Sequence, residues 1–234
     1  MASAERRTRA GAKPRLDAET IIEVALEVAA GTNAIVLPAK ELGIRLGVDP
    51  TAIYRHFRNK AHLMEALLDA LTLRSLDAVT APDEQWRERL RQLAESTLVE
   101  FCRHPSVAAE AMVLTTHGPG ELGAIEIMLD AFTRAGLPPE EVVRHYALFA
   151  SQVLSTASGI AIGRAENRER PDAEEELEFS PWLDGPILAD PRTYPRIAEF
   201  NRQLGDLDDR AIFHLGVESV IQSAERTAAR GADV

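Results

Sequence analysis

Cysteine is nearly absent from this chain. The one at position 102 cannot close an intrachain disulfide and fits a reducing compartment. No window approaches the run of about 20 apolar residues that a bilayer span needs, so no membrane association is expected. Residues 1–15 are polar and basic with no apolar stretch behind them, which argues against a secretory signal and for a cytoplasmic location. No segment alternates with the period of a strand. The β-branched apolar residues mostly recur at i, i+3 and i+4, the helical spacing. H-E-x-x-H, G-x-S-x-G and C-x-x-C are all missing. Cys102 and His104 lie two apart on a helical stretch and so face different ways, which excludes them as a metal pair. No metal, no cofactor and no internal repeat is expected.

What is present is 234 residues, 45% apolar and 27% charged, enough for a small domain joined to a larger one. The net charge of −11 argues against a nucleic-acid partner until its distribution is considered. Residues 1–60 hold ten Lys/Arg against seven Asp/Glu, or +3, which leaves −14 on the remainder. A mildly basic head thus sits on a strongly acidic body. Such a body repels DNA and leaves only the head able to approach it.

The helical pattern divides at its turn residues. Asp17 can cap a first helix bearing Ile21, Ile22, Ala25, Leu26 and Ala29, which Gly31-Thr32-Asn33 stops. A short helix starts at Pro38 and ends at Gly47. Asp49 caps a third, with Pro50 in its first turn, running through Phe57. Asn59 caps a fourth, over 59–77, bearing Leu63, Leu67, Leu68 and Leu71. Longer helices are expected over 83–103, 105–116, 120–136 and 139–165, separated by Pro105, Gly118-Pro119-Gly120 and Gly136-Leu137-Pro138-Pro139. An acidic, Pro-rich loop over 166–190 precedes two last helices near 193–204 and 206–229.

Leu42 to Lys60 carries the most information. Two short helices joined by a tight turn at Gly47 make a helix-turn-helix. Gly43 has no side chain where the two would cross, and Val48 and Ile53 can pack inward. The second helix then presents Thr51, Ala52, Tyr54, Arg55 and His56, with its N-terminal end suited to the major groove. Thr51 and Tyr54 can donate to phosphates, and Arg55 can reach a base edge or a phosphate. The simpler roles are core cover for Tyr54 and Phe57, favoured for Phe57, and a plain surface position for His56.

The run Leu46-Gly47-Val48, then Tyr54-Arg55-His56-Phe57 with Asn59-Lys60 and Leu63, resembles the recognition-helix signature of the TetR (tetracycline-repressor-like) family. The resemblance is detailed over residues 17–71 and extends to the length and helical layout beyond. It implies an all-α fold: a three-helix helix-turn-helix domain over 17–62, then a larger helical ligand-binding and dimerisation domain over 63–234. A basic arm over 1–16 would precede them, wrapping DNA or standing as a solvated tail. Lys40, Thr51, Ala52, Tyr54, Arg55, His56 and Lys60 are the expected DNA-binding residues. One departure stands out: Leu37-Pro38 occupies the place where the family usually has a capping Ser or Thr.

The resemblance further implies double-stranded operator DNA, a small-molecule effector and a second copy of the chain as partners. Pocket-lining candidates are Phe101, Met112, His117, Ile125, Met128, Phe132, Tyr146, Phe149 and Gln152, a largely apolar set, with His145 as a further polar candidate. The helix over 139–165 turns to small residues late, at Ser155, Ser158, Gly159 and Gly163, and the final helix is apolar on more than one face. Ser155, Gly159, Phe213, Val217 and Val220 are therefore expected at a four-helix dimer interface, with ordinary intrachain packing as the alternative. Two other readings compete. One is a protein of this fold that has lost operator binding. The other is a nucleotide-binding enzyme, because Gly118-Pro119-Gly120-Glu121-Leu122-Gly123 matches G-x-G-x-x-G; that fingerprint requires a preceding strand.

Overall fold

A computed structural model describes residues 16–168, 182 and 187–232. The basic arm and most of the acidic loop lie outside the described residues. Among those described, every regular element is helical: α1 (Ala18–Ala30), α2 (Ala39–Leu46), a 3₁₀ helix (Pro50–Arg55), α3 (Lys60–Asp77), α4 (Trp86–Arg103), α5 (Pro105–Ala108), α6 (Pro119–Arg134), α7 (Pro139–Arg168), α8 (Pro195–Gly205) and α9 (Asp209–Ala232).

The head is built by local chemistry that its sequence announces. The Asp17 carboxylate accepts the Thr20 N–H at 2.9 Å and starts α1. Ile21, Ala25, Leu26 and Ala29 form its buried stripe. Gly47 ends α2 in the left-handed conformation (φ 64°, ψ 32°), which glycine adopts without the strain a Cβ would bring. At Gly43 a Cβ would stand 2.8 Å from the Pro50 ring and 3.1 Å from the Val48 carbonyl, so only glycine lets the third element cross this closely. That element is a 3₁₀ helix of six residues and stops at Arg55, short of the α-helix expected through Phe57. Phe57 turns into the core, 3% exposed. The Asn59 side chain accepts the His62 N–H at 2.8 Å and launches α3.

The body is a bundle around α7, which packs against α4, α5, α6 and α9. Two bidentate arginine pairs fasten α9: Arg91 to Glu218 at 2.5 and 3.0 Å, and Arg164 to Asp209 at 2.8 and 2.5 Å. Three expectations need correction. The helix over 105–116 closes at Ala108, and tight turns follow to Val113. Met112 and Val113 are 51% and 81% exposed there, so no apolar packing rewards a longer helix. The loop expected from 166 begins later, because α7 runs on to Arg168. The expectation that no segment approaches a membrane span fails for α7, which is long and apolar enough by length and composition. It is a bundle helix, with 33% of its apolar window buried within one chain.

Candidate functional site

Lys40, Tyr54, Arg55 and His56 are all exposed on the head, and their side chains have no partner within the chain among the described residues; Ala52 is half-buried. Tyr54 is 43% exposed, so it is not core cover. Thr51 is committed locally. Its hydroxyl donates to Asp49 Oδ1 at 2.5 Å and its N–H donates to the same oxygen at 2.9 Å. These two bonds hold the Asp49 carboxyl below the usual carboxylate range. Thr51 therefore offers an outside partner acceptor lone pairs, which a phosphate cannot use, until Asp49 lets its proton go. Lys60 is also engaged. Its ammonium lies 2.9 Å from Glu110 Oε1, in the turn that follows α5. Pro38 makes no side-chain bond to the start of α2.

A second feature lies in the body. A cavity with about 780 Å³ of atom-free space, part of it open to solvent, is walled by α3, α4, α6, α7 and the segment between α5 and α6. Its wall is mostly apolar: Leu68, Leu93, Phe101, Ile125, Met128 and Phe149 set its character. The hydroxyls of Thr72 and Thr97 donate to their own helix carbonyls at 2.9 and 2.8 Å and keep lone pairs to spare. Apolar walls with a few placed polar groups are what small-molecule sites share.

Of the expected lining residues, Phe101, Ile125, Met128, Tyr146 and Phe149 are in the wall. The others are not. Met112 is on the surface. His117 has an exposed side chain and a left-handed backbone (φ 53°), and contributes its N–H to Glu121 at 2.5 Å. Phe132 is fully buried, edge-on to Phe149 with ring centres 6.2 Å apart. Gln152 donates to Thr156 at 3.1 Å beside Gly216 of α9. His145 ties α7 to α9 through Ser223 at 3.3 Å. The expected interface residues also divide. Ser155 and Gly159 are exposed on α7, but Phe213, Val217 and Val220 are 0%, 2% and 5% exposed within the single chain. On α9 the outward face is instead Leu215, Ser219 and Gln222.

With this geometry in hand, two family matches bear on the chain. Residues 21–67 match the bacterial regulatory proteins of the tetR family, and residues 80–227 match the tetracyclin repressor-like C-terminal domain. The chain belongs to the TetR family. It is 26% identical over 224 residues to the HTH-type transcriptional repressor DrrR1 of Streptomyces coeruleorubidus, covering 94% of this chain and 81% of that one. It is 25% identical over 212 residues to the class D tetracycline repressor protein of Escherichia coli, covering 90% of each. A putative transcriptional regulator from Streptomyces coelicolor A3(2) superimposes with a TM-score of 0.72 at 26% identity, covering 92% of this chain and 99% of that one. The S. coelicolor TetR family protein ActR, solved in complex with (S)-DNPA, shares the fold, with a TM-score of 0.69 at 18% identity over 92% of this chain and 99% of that one.

In this TetR-family chain the sequence reading passed over a group that joins α3 to the cavity. Asp69 accepts the N–H groups of Gly120 at 3.2 Å and Glu121 at 3.0 Å, and the Thr116 hydroxyl at 2.8 Å. Thr116 and Glu121 both line the cavity. A Cβ on Gly120 would come within 2.3 Å of the Asp69 carbonyl oxygen. The glycines that suggested a nucleotide fingerprint therefore let the N-terminus of α6 settle onto α3, and no strand precedes them among the described residues. The signal was available: an acid facing a glycine-rich helix start is the usual way to satisfy its free N–H groups.

Proposed function

We propose that this chain is a ligand-responsive transcriptional repressor that binds a pseudo-palindromic operator as a homodimer and lets go when a small, largely apolar molecule fills the cavity. One observation carries the reading: α3 is a single helix that starts at the DNA-facing head, at Lys60, and lines the cavity two turns later through Leu68, Thr72 and Ser75. The division into a head over 17–62 and a body over 63–234 then falls inside α3, which both parts share. A shift of α3 re-aims the head, and a two-fold operator tolerates one spacing of its two readers. Lys40, Tyr54, Arg55 and His56 make the first contacts, Thr51 and Lys60 joining once Asp49 and Glu110 release them; Ala52 supplies the close approach. The effector acts only through tighter binding to the arrangement that does not fit DNA. Nothing in the reading requires catalysis.

The test is anisotropy of labelled DNA from upstream of the chain's own gene, across a salt series. Affinity is expected to fall steeply with salt, because each phosphate contact releases counterions. Compounds that raise the melting temperature are then expected to lower operator affinity. A protein that retains no salt-dependent affinity for any such fragment is instead a fold relative that has lost operator binding, a reading that the uncapped start of α2 and the engaged Thr51 and Lys60 favour.

A further inference from the structure

The charge of the cavity wall narrows what the cavity accepts. Among its lining residues there is one ionisable acid, Glu121, and no lysine, arginine or histidine. Neither Glu121 nor Asp69 takes part in an ion pair among the described residues. The two carboxylates compete for one proton. Thr116 has a single hydroxyl hydrogen, with Asp69 Oδ1 at 2.8 Å and Glu121 Oε2 at 3.3 Å, and the shorter contact takes it. Asp69 also receives two N–H groups from the start of α6. Glu121 Oε2 receives the His117 N–H, and its Oε1 accepts no hydrogen bond among the described residues.

We infer that the cavity takes an apolar molecule bearing a protonated amine, with the ammonium group donating to Glu121 and the hydrocarbon part lying against Phe101, Ile125, Met128 and Phe149. This rests on the reading of the cavity as the effector site. A carboxylate at the end of an effector would face Glu121 with no cation in the wall to offset it, beside apolar walls that screen like charges less than water does. A neutral molecule of the same shape buries the same apolar area and brings Glu121 Oε1 at most an uncharged donor. An amine supplies the donor and the charge together, and a charge-assisted hydrogen bond is about twice as strong as a neutral one. The same contact explains how an effector would reach α3. Glu121 holds the N–H of His117, the neighbour of Thr116, so drawing Glu121 toward an ammonium group pulls on the turn whose Thr116 hydroxyl binds Asp69 of α3.

Three probes with one aromatic skeleton test this on the full chain: 9-(aminomethyl)anthracene, 9-anthracenemethanol and 9-anthracenecarboxylate, titrated by their own fluorescence without DNA. The amine is expected to bind about ten-fold tighter than the alcohol, the gain of a charged donor over a neutral one, and the carboxylate weakest. Glu121→Gln keeps an acceptor for the His117 N–H. It is expected to erase the gap between amine and alcohol, chiefly by weakening the amine. The ranking in the unaltered protein needs no variant, so a poorly folding substitution does not blunt the test. A carboxylate that binds as well as the amine, or an amine preference that survives Glu121→Gln, overturns the inference and leaves the cavity standing as the effector site. If none of the three binds, the effector-site reading fails and the inference falls with it.

Discussion

His104 is 3% exposed at the end of α4. Its Nδ1 lies 2.8 Å from the Glu100 carbonyl oxygen, an acceptor, which places the ring proton there. Burial pushes its pKa below the ordinary 6.5, against the pull of the Glu100 carbonyl and carboxylate and with the help of Arg74 and Arg103. The unfolded chain takes up the proton first as pH falls. Stability tied to His104 is thus complete above 6.5 and drains away below it. The carboxylates held low by arginine, such as Glu218 by Arg91, add their loss only in more acid solution. Replacing His104 with Gln, which can still donate to Glu100, is expected to flatten the fall in melting temperature between about pH 7 and pH 5. An equal slope in the variant would assign the acid sensitivity elsewhere. At this scale the sequence was legible where a residue's neighbours in space are its neighbours in the chain: Asp17, Asp49 and Asn59 are caps within three residues of their donors. It was illegible where they are not. Asp69 meets its partners some 50 positions away, and no periodicity encodes that contact.

Among the elements, α3 carries the functional argument and its first residue exposes a competition. The Lys60 ammonium cannot hold Glu110 and a DNA phosphate at once. The pair is half exposed, so it is worth about 0.2–1 kcal/mol. Replacing Glu110 with Gln releases the lysine, and operator affinity is expected to rise by about 1.4- to five-fold. Replacing Lys60 with Ala is expected to weaken binding to all sequences alike and reduce the salt slope by about one. If the Glu110 variant binds operator no better than the unaltered protein, the ion pair does not restrain the head. The elements themselves were largely readable. The head helices carry their caps and glycine stops, and α6 and α7 begin at prolines. The segment after Pro105 was misread because helical spacing persists through Met112, although nothing packs on it; periodicity reports an apolar face, not whether a partner covers it.

For the whole molecule, burial within one chain decides what remains for a second copy. The exposed side of α7 runs along Leu148, Ser151, Ser155 and Gly159, and that of α9 along Ala211, Leu215, Ser219 and Gln222. The residues named on these sides are all uncharged and mostly small, and α8, an amphipathic helix, has no buried residue. Phe213 supports a different conclusion from the one its sequence position suggested. It lies inside the single chain, so Phe213→Ala is expected to cost about 3–5 kcal/mol of folding stability, whatever the oligomeric state. The interface is better tested at positions where nothing in the chain objects. A Cβ at Gly159 meets no atom within 4 Å, and arginine is a better helix former than glycine by several tenths of a kcal/mol. Gly159→Arg should therefore leave the monomer fold intact while placing a charge where a partner's α7 or α9 would pack. Leu215→Asp, on a side chain 62% exposed, does the same on α9. Both variants are expected to keep their helical circular dichroism and melt cooperatively, to run at monomer mass in light scattering, and to lose tight binding to a full operator, because one head supplies half of the contacts. Dimer mass retained in Gly159→Arg and in Leu215→Asp would remove these faces of α7 and α9 from the assembly and make the exposed side of α8 the next surface to test.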